Sequence, residues 1–160
     1  MRGHFLENES AEQNISSGYD KLISLLGRKE AHAEHCGYPA GGVRTELIWD
    51  VTPVGSYPDK AGIEQRISRL FGVSLFIKET AVPLTGEEMM RFLNLLFEKE
   101  EKPLYIIIDK AFLEEDEETF PGGMKIKDLR SITGVRVRVK KSPDALISML
   151  SRISTRRGRR

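Results

Sequence analysis

Cysteine is nearly absent from this sequence, in which Cys36 is the only one among 160 residues. An internal disulfide is therefore excluded, and a single thiol is typical of proteins in a reducing compartment. Long apolar runs are absent as well, since none approaches the roughly 20 residues that span a bilayer. The first ten residues, MRGHFLENES, also lack the apolar stretch of a signal peptide. We therefore expect a cytoplasmic protein with no membrane partner.

Histidine is also scarce, and all three copies precede residue 36. No Ser-His-Asp or Cys-His nucleophile set can therefore be argued for the rest of the chain. The segment HAEHC brings His32, His35 and Cys36 close together if it is helical, because residues three and four apart share a helix face. These side chains could bind a transition metal, or they are only the polar end of a helix. The sequence leaves both alternatives open.

Charged residues are plentiful but unevenly spread. The chain carries 25 Lys and Arg against 24 Asp and Glu, and residues 98–118 are acidic overall. The last nine residues, RISTRRGRR, hold five arginines and no acid, so they could bind nucleic-acid phosphates or only solubilise the chain. A pI near 7.8 is low for a dedicated nucleic-acid domain. The predicted nucleic-acid contacts in this tail are Arg156, Arg157, Arg159 and Arg160.

Apolar residues recur with strand and helix periods in alternation from residue 43 onward. Strands are predicted at 43–51, 73–79, 104–109 and 135–141, and helices at 59–72, 85–100, 125–134 and 142–153. Strands that alternate with helices indicate βαβ units, whose handedness places helices on both faces of the sheet. The predicted fold is an α/β three-layer sandwich with a mostly parallel central sheet of about four strands.

Three segments are predicted: an N-terminal arm at 1–42, the α/β domain at 43–153 and a disordered basic tail at 154–160. Within the arm, residues 1–10 are expected to be disordered, and an amphipathic helix runs from Ser10 to a candidate C-cap near Gly27. Residues 28–42 are predicted to be either an extension of this helix or a loop, followed by a Gly/Pro turn. The apolar stripe of this helix must be covered by the sheet domain or by another chain. A protein partner, or self-association through this helix, is therefore an open alternative.

Two of the predicted strands differ in their exposure. The five residues from Leu104 to Ile108 show no polar alternation, which is typical of a central strand covered on both faces. In VRVRVKK, valines alternate with Arg136, Arg138 and Lys140, so this strand is predicted to lie at an edge with one wet, basic face. Arg136 and Arg138 thus join the tail as predicted nucleic-acid contacts.

Three consecutive predicted strands end in an acid, at Asp50, Glu79 and Asp109. If the strands are parallel, these carboxylates lie along one edge of the sheet, where open α/β sheets bind their ligands. Adjacent strands are about 4.8 Å apart, so neighbouring carboxylates could share a Mg²⁺ ion. The sequence thus offers these three acids as metal ligands and catalytic groups; the alternative is that each acid only marks where a strand meets water.

The segment VGSYPDKAG follows the first strand and precedes a helix, as a phosphate-binding loop would. It departs from the G-x-x-x-x-G-K-[ST] pattern, because Gly55 to Lys60 is one residue short and Ala61 stands in place of the hydroxyl residue. Anion binding by Ser56 and Lys60 is a weaker form of the same hypothesis, and a plain surface turn is the alternative.

The acids and one lysine also resemble, in layout, the receiver domains of response regulators. Such domains carry acids at the ends of the first and third strands and a lysine at the end of the last, and Asp50, Asp109 and Lys140 hold these positions here. The sequence departs from that pattern because one βα unit is missing before Lys140 and the first strand has a single acid. The layout implies only that the three side chains meet.

The sequence favours a cytosolic binding or regulatory domain that engages a phosphate-bearing partner, with nucleic acid as one such partner. Two alternatives stay open. One is a Mg²⁺-dependent phosphoryl-transfer enzyme or nuclease that uses Asp50, Glu79 and Asp109, and the other is a protein–protein interaction module.

Overall fold

A computed structural model describes the backbone of residues 2–39 and 45–158, and the side chains of residues 18–39 and 45–154. Five α-helices alternate with four strands over this part of the chain, and a turn of 3-10 helix, Lys110–Phe112, follows the third strand. The elements are α1 (Arg2–Cys36), β1 (Glu46–Pro53), α2 (Lys60–Phe71), β2 (Val73–Thr80), α3 (Gly86–Lys99), β3 (Tyr105–Asp109), α4 (Ile126–Thr133), β4 (Arg136–Lys140) and α5 (Pro143–Gly158).

The four strands form one parallel sheet with the order β2-β1-β3-β4. Strand β1 pairs with β3 at the centre, where Ile48 lies opposite Tyr105 and Val51 opposite Ile108. From this central pair, the chain first builds outward to β2 and later outward to β4. The predicted parallel α/β sandwich is confirmed, and the direction of winding reverses between β1 and β3.

Helices cover both faces of the sheet. On one face, α1, α2 and α5 pack against β1–β3 in a core that contains Leu26, Ile67 and Leu150. On the other, α3 and α4 pack in a second core around Trp49, Met89 and Leu129. The side chains of Ile106, Ile107 and Ile108 point alternately into the two cores and are all buried, as a doubly covered central strand requires.

Strand β4 lies at the edge of the sheet, as its sequence alternation predicted. Val137 is fully buried, whereas Arg136 and Arg138 are exposed. Lys140 departs from the predicted wet face, because only 8% of this residue is exposed.

Helix α1 begins earlier than predicted, and beyond Gly27 it takes the helical extension that was one of the two predicted alternatives. It begins at Arg2, although residues 1–10 were expected to be disordered, and it passes through Gly27 to end at Cys36. Residues 28–34, RKEAHAE, are mostly good helix formers, so the single glycine does not stop the helix. Gly37 ends it instead, with the positive φ of 91° that glycine tolerates.

The C-terminal helix also exceeds its prediction. It continues past residue 153 through Gly158, so the segment expected to be a disordered tail is helical over most of its length. The predicted cap of α3 is confirmed: Thr85 accepts a hydrogen bond from the Glu88 N–H, and the Glu88 side chain accepts one from the Thr85 N–H. Among the described residues, no helix combines the length and apolar character of a transmembrane span.

Candidate functional site

A cavity of about 660 Å³ opens at the carboxyl edge of the sheet, above β1 and β3. We call it the edge cavity. Its lining comes from α1, the end of β1 with the β1–α2 loop, the β2–α3 loop, the end of β3 with the turn after it, and the end of β4 with the start of α5. The lining residues are Gly18, Tyr19, Leu22, residues 52–57, Val82, residues 109–111, residues 140–143 and Leu146. In open α/β sheets the strands flanking a reversal of winding leave a crevice at this edge, so the strand order itself creates the opening.

Beneath the cavity, three polar side chains form a closed network. The Lys140 ammonium lies 2.7 Å from Asp50 Oδ1 and 3.0 Å from Asp50 Oδ2, and it donates to the Tyr57 hydroxyl oxygen at 2.7 Å. The Tyr57 hydroxyl donates in turn to Asp50 Oδ2 at 2.6 Å. Asp109 Oδ2 lies 3.8 Å from the same ammonium. We call these four residues the Lys140 cluster.

Burial sets the electrostatics of this cluster. Asp50 is completely buried, and Tyr57 and Lys140 are nearly so. Removal from water, followed by the negative charge of Asp50 and its hydrogen bond, raises the pKa of the Tyr57 hydroxyl well above its ordinary value. Tyr57 therefore remains a neutral donor. A buried ion pair needs partners for its remaining polar atoms, and no buried side-chain N or O atom of the described residues lacks one.

Asp109 differs from Asp50 because its side chain is 22% exposed at the cavity. Its Oδ1 accepts from the Ala111 N–H at 2.9 Å, and its Oδ2 accepts from the Thr52 hydroxyl at 3.2 Å. The aspartate thus ends β3 by capping the 3-10 turn, and it also joins the ends of the two central strands.

The three predicted metal ligands are placed differently from one another. Asp50 does not end its strand, because β1 continues to Pro53 and carries Thr52 to the edge instead. Glu79 accepts from the Gly55 N–H at 2.9 Å and pairs with Lys60 at 3.6 Å, so it holds the β1–α2 loop. Only Asp109 reaches the edge cavity. The Lys140 ammonium occupies the position between Asp50 and Asp109 that a shared cation would take.

No metal-binding group emerges elsewhere in the described part of the chain, where no three His, Cys, Asp or Glu side chains lie together as ligands. His32, His35 and Cys36 are exposed near the end of α1. The magnesium hypothesis stays a prediction without geometric support.

In the predicted phosphate loop, the N–H groups of Gly55 and Ser56 already donate hydrogen bonds within the protein. The Ser56 N–H and hydroxyl both donate to the Pro53 carbonyl, at 3.2 and 2.7 Å. With the Gly55 N–H engaged by Glu79, neither of these N–H groups is left to cradle a phosphate. Ser56 nevertheless lines the edge cavity, whereas Lys60 is paired with Glu79 outside it.

The predicted nucleic-acid contacts divide into two sets. Arg136 donates to the Tyr105 hydroxyl at 3.0 Å, and Arg138 donates to the Val137 carbonyl at 3.2 Å. Both arginines keep exposed surface on the outermost strand. The side chains of Arg156, Arg157, Arg159 and Arg160 lie outside the described residues.

Sequence reasoning missed two parts of this site. Tyr57 and Thr52 carried no motif, although the β-branched residues that follow Asp50 indicate a strand that runs further. The wall formed by Tyr19 and Leu22 of α1 was also missed, because contact between α1 and the cavity depends on tertiary packing. The layout shared with receiver domains did predict that Asp50, Asp109 and Lys140 lie close together, and the two carboxylates are 2.7 and 3.8 Å from the Lys140 ammonium.

Comparison of this chain with known protein families, with curated proteins and with solved structures finds no match. The fold and the site therefore define the class: an α/β domain with a ligand-sized cavity at the winding reversal of a parallel sheet.

Proposed function

We propose that the protein is a cytosolic binding domain with a regulatory role, which takes a phosphate-bearing small molecule in the edge cavity. The observation that carries this proposal is the cavity itself, with two exposed lysines, Lys110 and Lys141, in its lining. Its volume of about 660 Å³ falls within the range of about 300–1,000 Å³ that is usual for small-molecule sites.

Charge supports an anionic ligand. Lys110 and Lys141 are exposed in the lining, and Asp109 is its only carboxylate among the described residues. Lys140 adds little net charge because Asp50 offsets it, and Lys141 also forms an exposed pair with Glu117. A phosphate monoester carries about −1.5 to −2 charges at neutral pH, which complements this lining. Tyr19, Val54 and Val82 provide an apolar wall for the rest of the molecule. An apolar pocket with a few convergent polar groups is the usual composition of such sites.

A binding role has better support than the enzyme alternative. Metal-dependent phosphoryl transfer needs carboxylates that are free to hold the ion. Lys140 donates to both oxygens of Asp50, and Glu79 accepts a hydrogen bond from the Gly55 N–H in the β1–α2 loop. The polar groups of the cluster hold one another in place.

The proposal is tested by filling the cavity. Gly18 lines it, and a Cβ added there would meet no atom within 4 Å, so Gly18→Leu projects a side chain into the space. Gly27→Leu is the matched control: it lies on the same helix, has equally open surroundings and does not line the cavity. Calorimetric titration of both variants with organic phosphates should show binding lost only in Gly18→Leu.

A charge variant gives a second measurement. Lys141→Ala removes an exposed lining lysine and should weaken binding, whereas Lys99→Ala, on α3 behind the other face of the sheet, should not. Binding that survives Gly18→Leu unchanged, or no binding of any organic phosphate by the unmodified chain, would remove the proposal.

Nucleic acid is a second candidate partner, favoured by the exposed Arg136 and Arg138 on one face of the edge strand. If they contact phosphates, the double variant Arg136→Ala/Arg138→Ala should weaken binding to single-stranded RNA and lower the salt slope by about 1.4. Arg91→Ala, exposed on α3, is the control. An unchanged slope would exclude these arginines as phosphate contacts.

A further inference from the structure

We infer that the ligand of the edge cavity is a ribonucleoside monophosphate, meaning a flat ring joined to a sugar that carries neighbouring hydroxyls and one phosphate. This assignment rests on the proposed function and names its ligand class. It follows from Asp109, the only carboxylate among the described residues that line the cavity.

Asp109 offers acceptor capacity that the protein does not use. An ionised carboxylate has about four lone-pair positions, and the Asp109 side chain accepts hydrogen bonds from the Ala111 N–H and the Thr52 hydroxyl. The Lys140 ammonium lies 3.8 Å from Oδ2, and the side chain is 22% exposed at the cavity, so the donors of a ligand can reach it. A carboxylate in that place repels a bare anion and accepts from hydroxyl donors. Two adjacent hydroxyls, as on ribose, match its paired oxygens.

The rest of the lining requires a second, anionic end on the same molecule. Lys110 and Lys141 are exposed at the cavity and supply the donors for an anion, because the ammonium hydrogens of Lys140 are already donated to Asp50 and Tyr57. Donors and acceptor are thus both present, so the fitting ligand combines hydroxyls with a phosphate. A flat ring on the same molecule would cover the apolar wall formed by Tyr19, Val54 and Val82.

The volume separates this class from smaller phosphates. Inorganic phosphate or a bare sugar phosphate would leave the apolar wall uncovered in a cavity of about 660 Å³. Uncovered apolar surface contributes no binding energy, so such molecules should bind weakly.

The experiment titrates the full chain with adenosine 5′-monophosphate, its 2′-deoxy analogue, ribose 5-phosphate and phenyl phosphate. Adenosine 5′-monophosphate should bind tightest. Loss of the 2′-hydroxyl should weaken binding by about tenfold or more, the usual effect of a hydrogen bond to a charged group. Asp109→Asn should weaken the ribonucleotide by a similar factor and leave phenyl phosphate unchanged. Glu98→Gln, exposed on α3, is the matched control and should change neither.

The outcomes separate the two proposals. If phenyl phosphate binds as tightly as the ribonucleotide and Gly18→Leu abolishes both, the cavity is an anion site and the diol assignment is overturned. If none of the four probes binds, both proposals fail. The comparison with the deoxy analogue uses the unmodified chain, so it decides the assignment even if Asp109→Asn folds poorly.

Discussion

At the scale of single residues, Lys140 and Asp50 determine the character of the site. Taking two charges out of water is costly, and their mutual attraction offsets that cost only when the geometry is good. Here Tyr57 donates to the carboxylate and accepts from the ammonium, so the network closes without a free polar atom. The pair is a fixed electrostatic element at the floor of the cavity.

Removing one partner of this pair should be strongly destabilising. Lys140→Met leaves Asp50 buried without its counter-charge, and we expect the free energy of unfolding to fall by about 3–5 kcal/mol. The double variant Asp50→Asn/Lys140→Met should lose less than the sum of the single changes, because neither charge is then stranded. Urea unfolding measures all three. Lys141→Met, which breaks an exposed pair with Glu117, is the control and should cost about 1 kcal/mol or less. Equal losses for Lys140→Met and Lys141→Met would contradict this account.

Substitution by alanine should change the free energy of unfolding in opposite directions at Gly27 and Gly134. Gly27 lies inside α1 with open space around a Cβ, so Gly27→Ala should raise the free energy of unfolding by about 0.5–1 kcal/mol through helix propensity. Gly134 caps α4 with a φ of 70°, which alanine adopts only under strain, so Gly134→Ala should lower it by about 1 kcal/mol. Thermal and urea unfolding give both values, and the same sign for the two variants would refute the argument.

At the scale of elements, both edges of the sheet are protected by side chains from neighbouring helices. On β2, the Leu75 N–H donates to Ser68 Oγ and the Ile77 N–H donates to Glu64 Oε2, both acceptors lying on α2. On β4, the Val137 carbonyl accepts from Arg130 of α4 at 2.9 Å. Covered edges resist pairing with the strands of other chains.

The Glu88 carboxylate in the cap of α3 should make the free energy of unfolding depend on pH. A hydrogen bond from the Thr85 N–H, supported by the Thr85 side chain, lowers the pKa of Glu88 below its ordinary value. The ionised form is therefore favoured in the folded state. Its contribution is complete above the unfolded pKa of about 4.3 and is lost as the pH falls through the lower folded value.

The variant Glu88→Gln tests this dependence, since glutamine keeps the capping geometry and does not titrate. It should be less stable than the original chain at pH 6, and the difference should shrink towards pH 3. Urea midpoints at the two pH values measure it. A difference that stays constant would show that Glu88 does not titrate with the predicted shift.

At the scale of the whole molecule, α1 shares its core with the sheet. Leu22, Leu26 and Ala33 are buried in the same cluster as residues of β1–β3, and Lys21 pairs with Asp144 of α5 at 2.7 Å. On α2, Arg66 donates to Glu30 at 3.0 Å through its Nε. The described part of the apolar stripe is thus covered by the chain itself, which gives self-association through this stripe no support.

A substitution in α1 should therefore destabilise the whole protein. Leu26 is completely buried, so Leu26→Ala should lower the free energy of unfolding by about 2–5 kcal/mol in a single transition. Ser24→Ala, exposed on the same helix, should be near neutral. Two separate transitions, or an unchanged core midpoint, would show that the arm folds independently, as the predicted boundary at residue 42 implies.

Local pattern was sufficient to predict the strand and helix order, the parallel sheet, the central position of YIII and the edge position of β4. These features depend on the period of apolar residues, which any few neighbouring positions display. The Thr85–Glu88 cap was predictable for the same reason. The end of helix α1 was left open by the sequence, because a glycine looks like a helix end unless the residues beyond it are buried or strongly helical.

The site required the tertiary structure. Lys140 looks like a solvated lysine in an alternating strand, and only the folded chain buries it against Asp50 and Tyr57. Residues 50, 57, 109 and 140 meet because the winding reverses between β1 and β3, a property of strand order that no local window contains. The sequence determined which segments become strands and helices. The tertiary structure decided which charges are paired and where the cavity opens, because burial and long-range electrostatics depend on the whole arrangement.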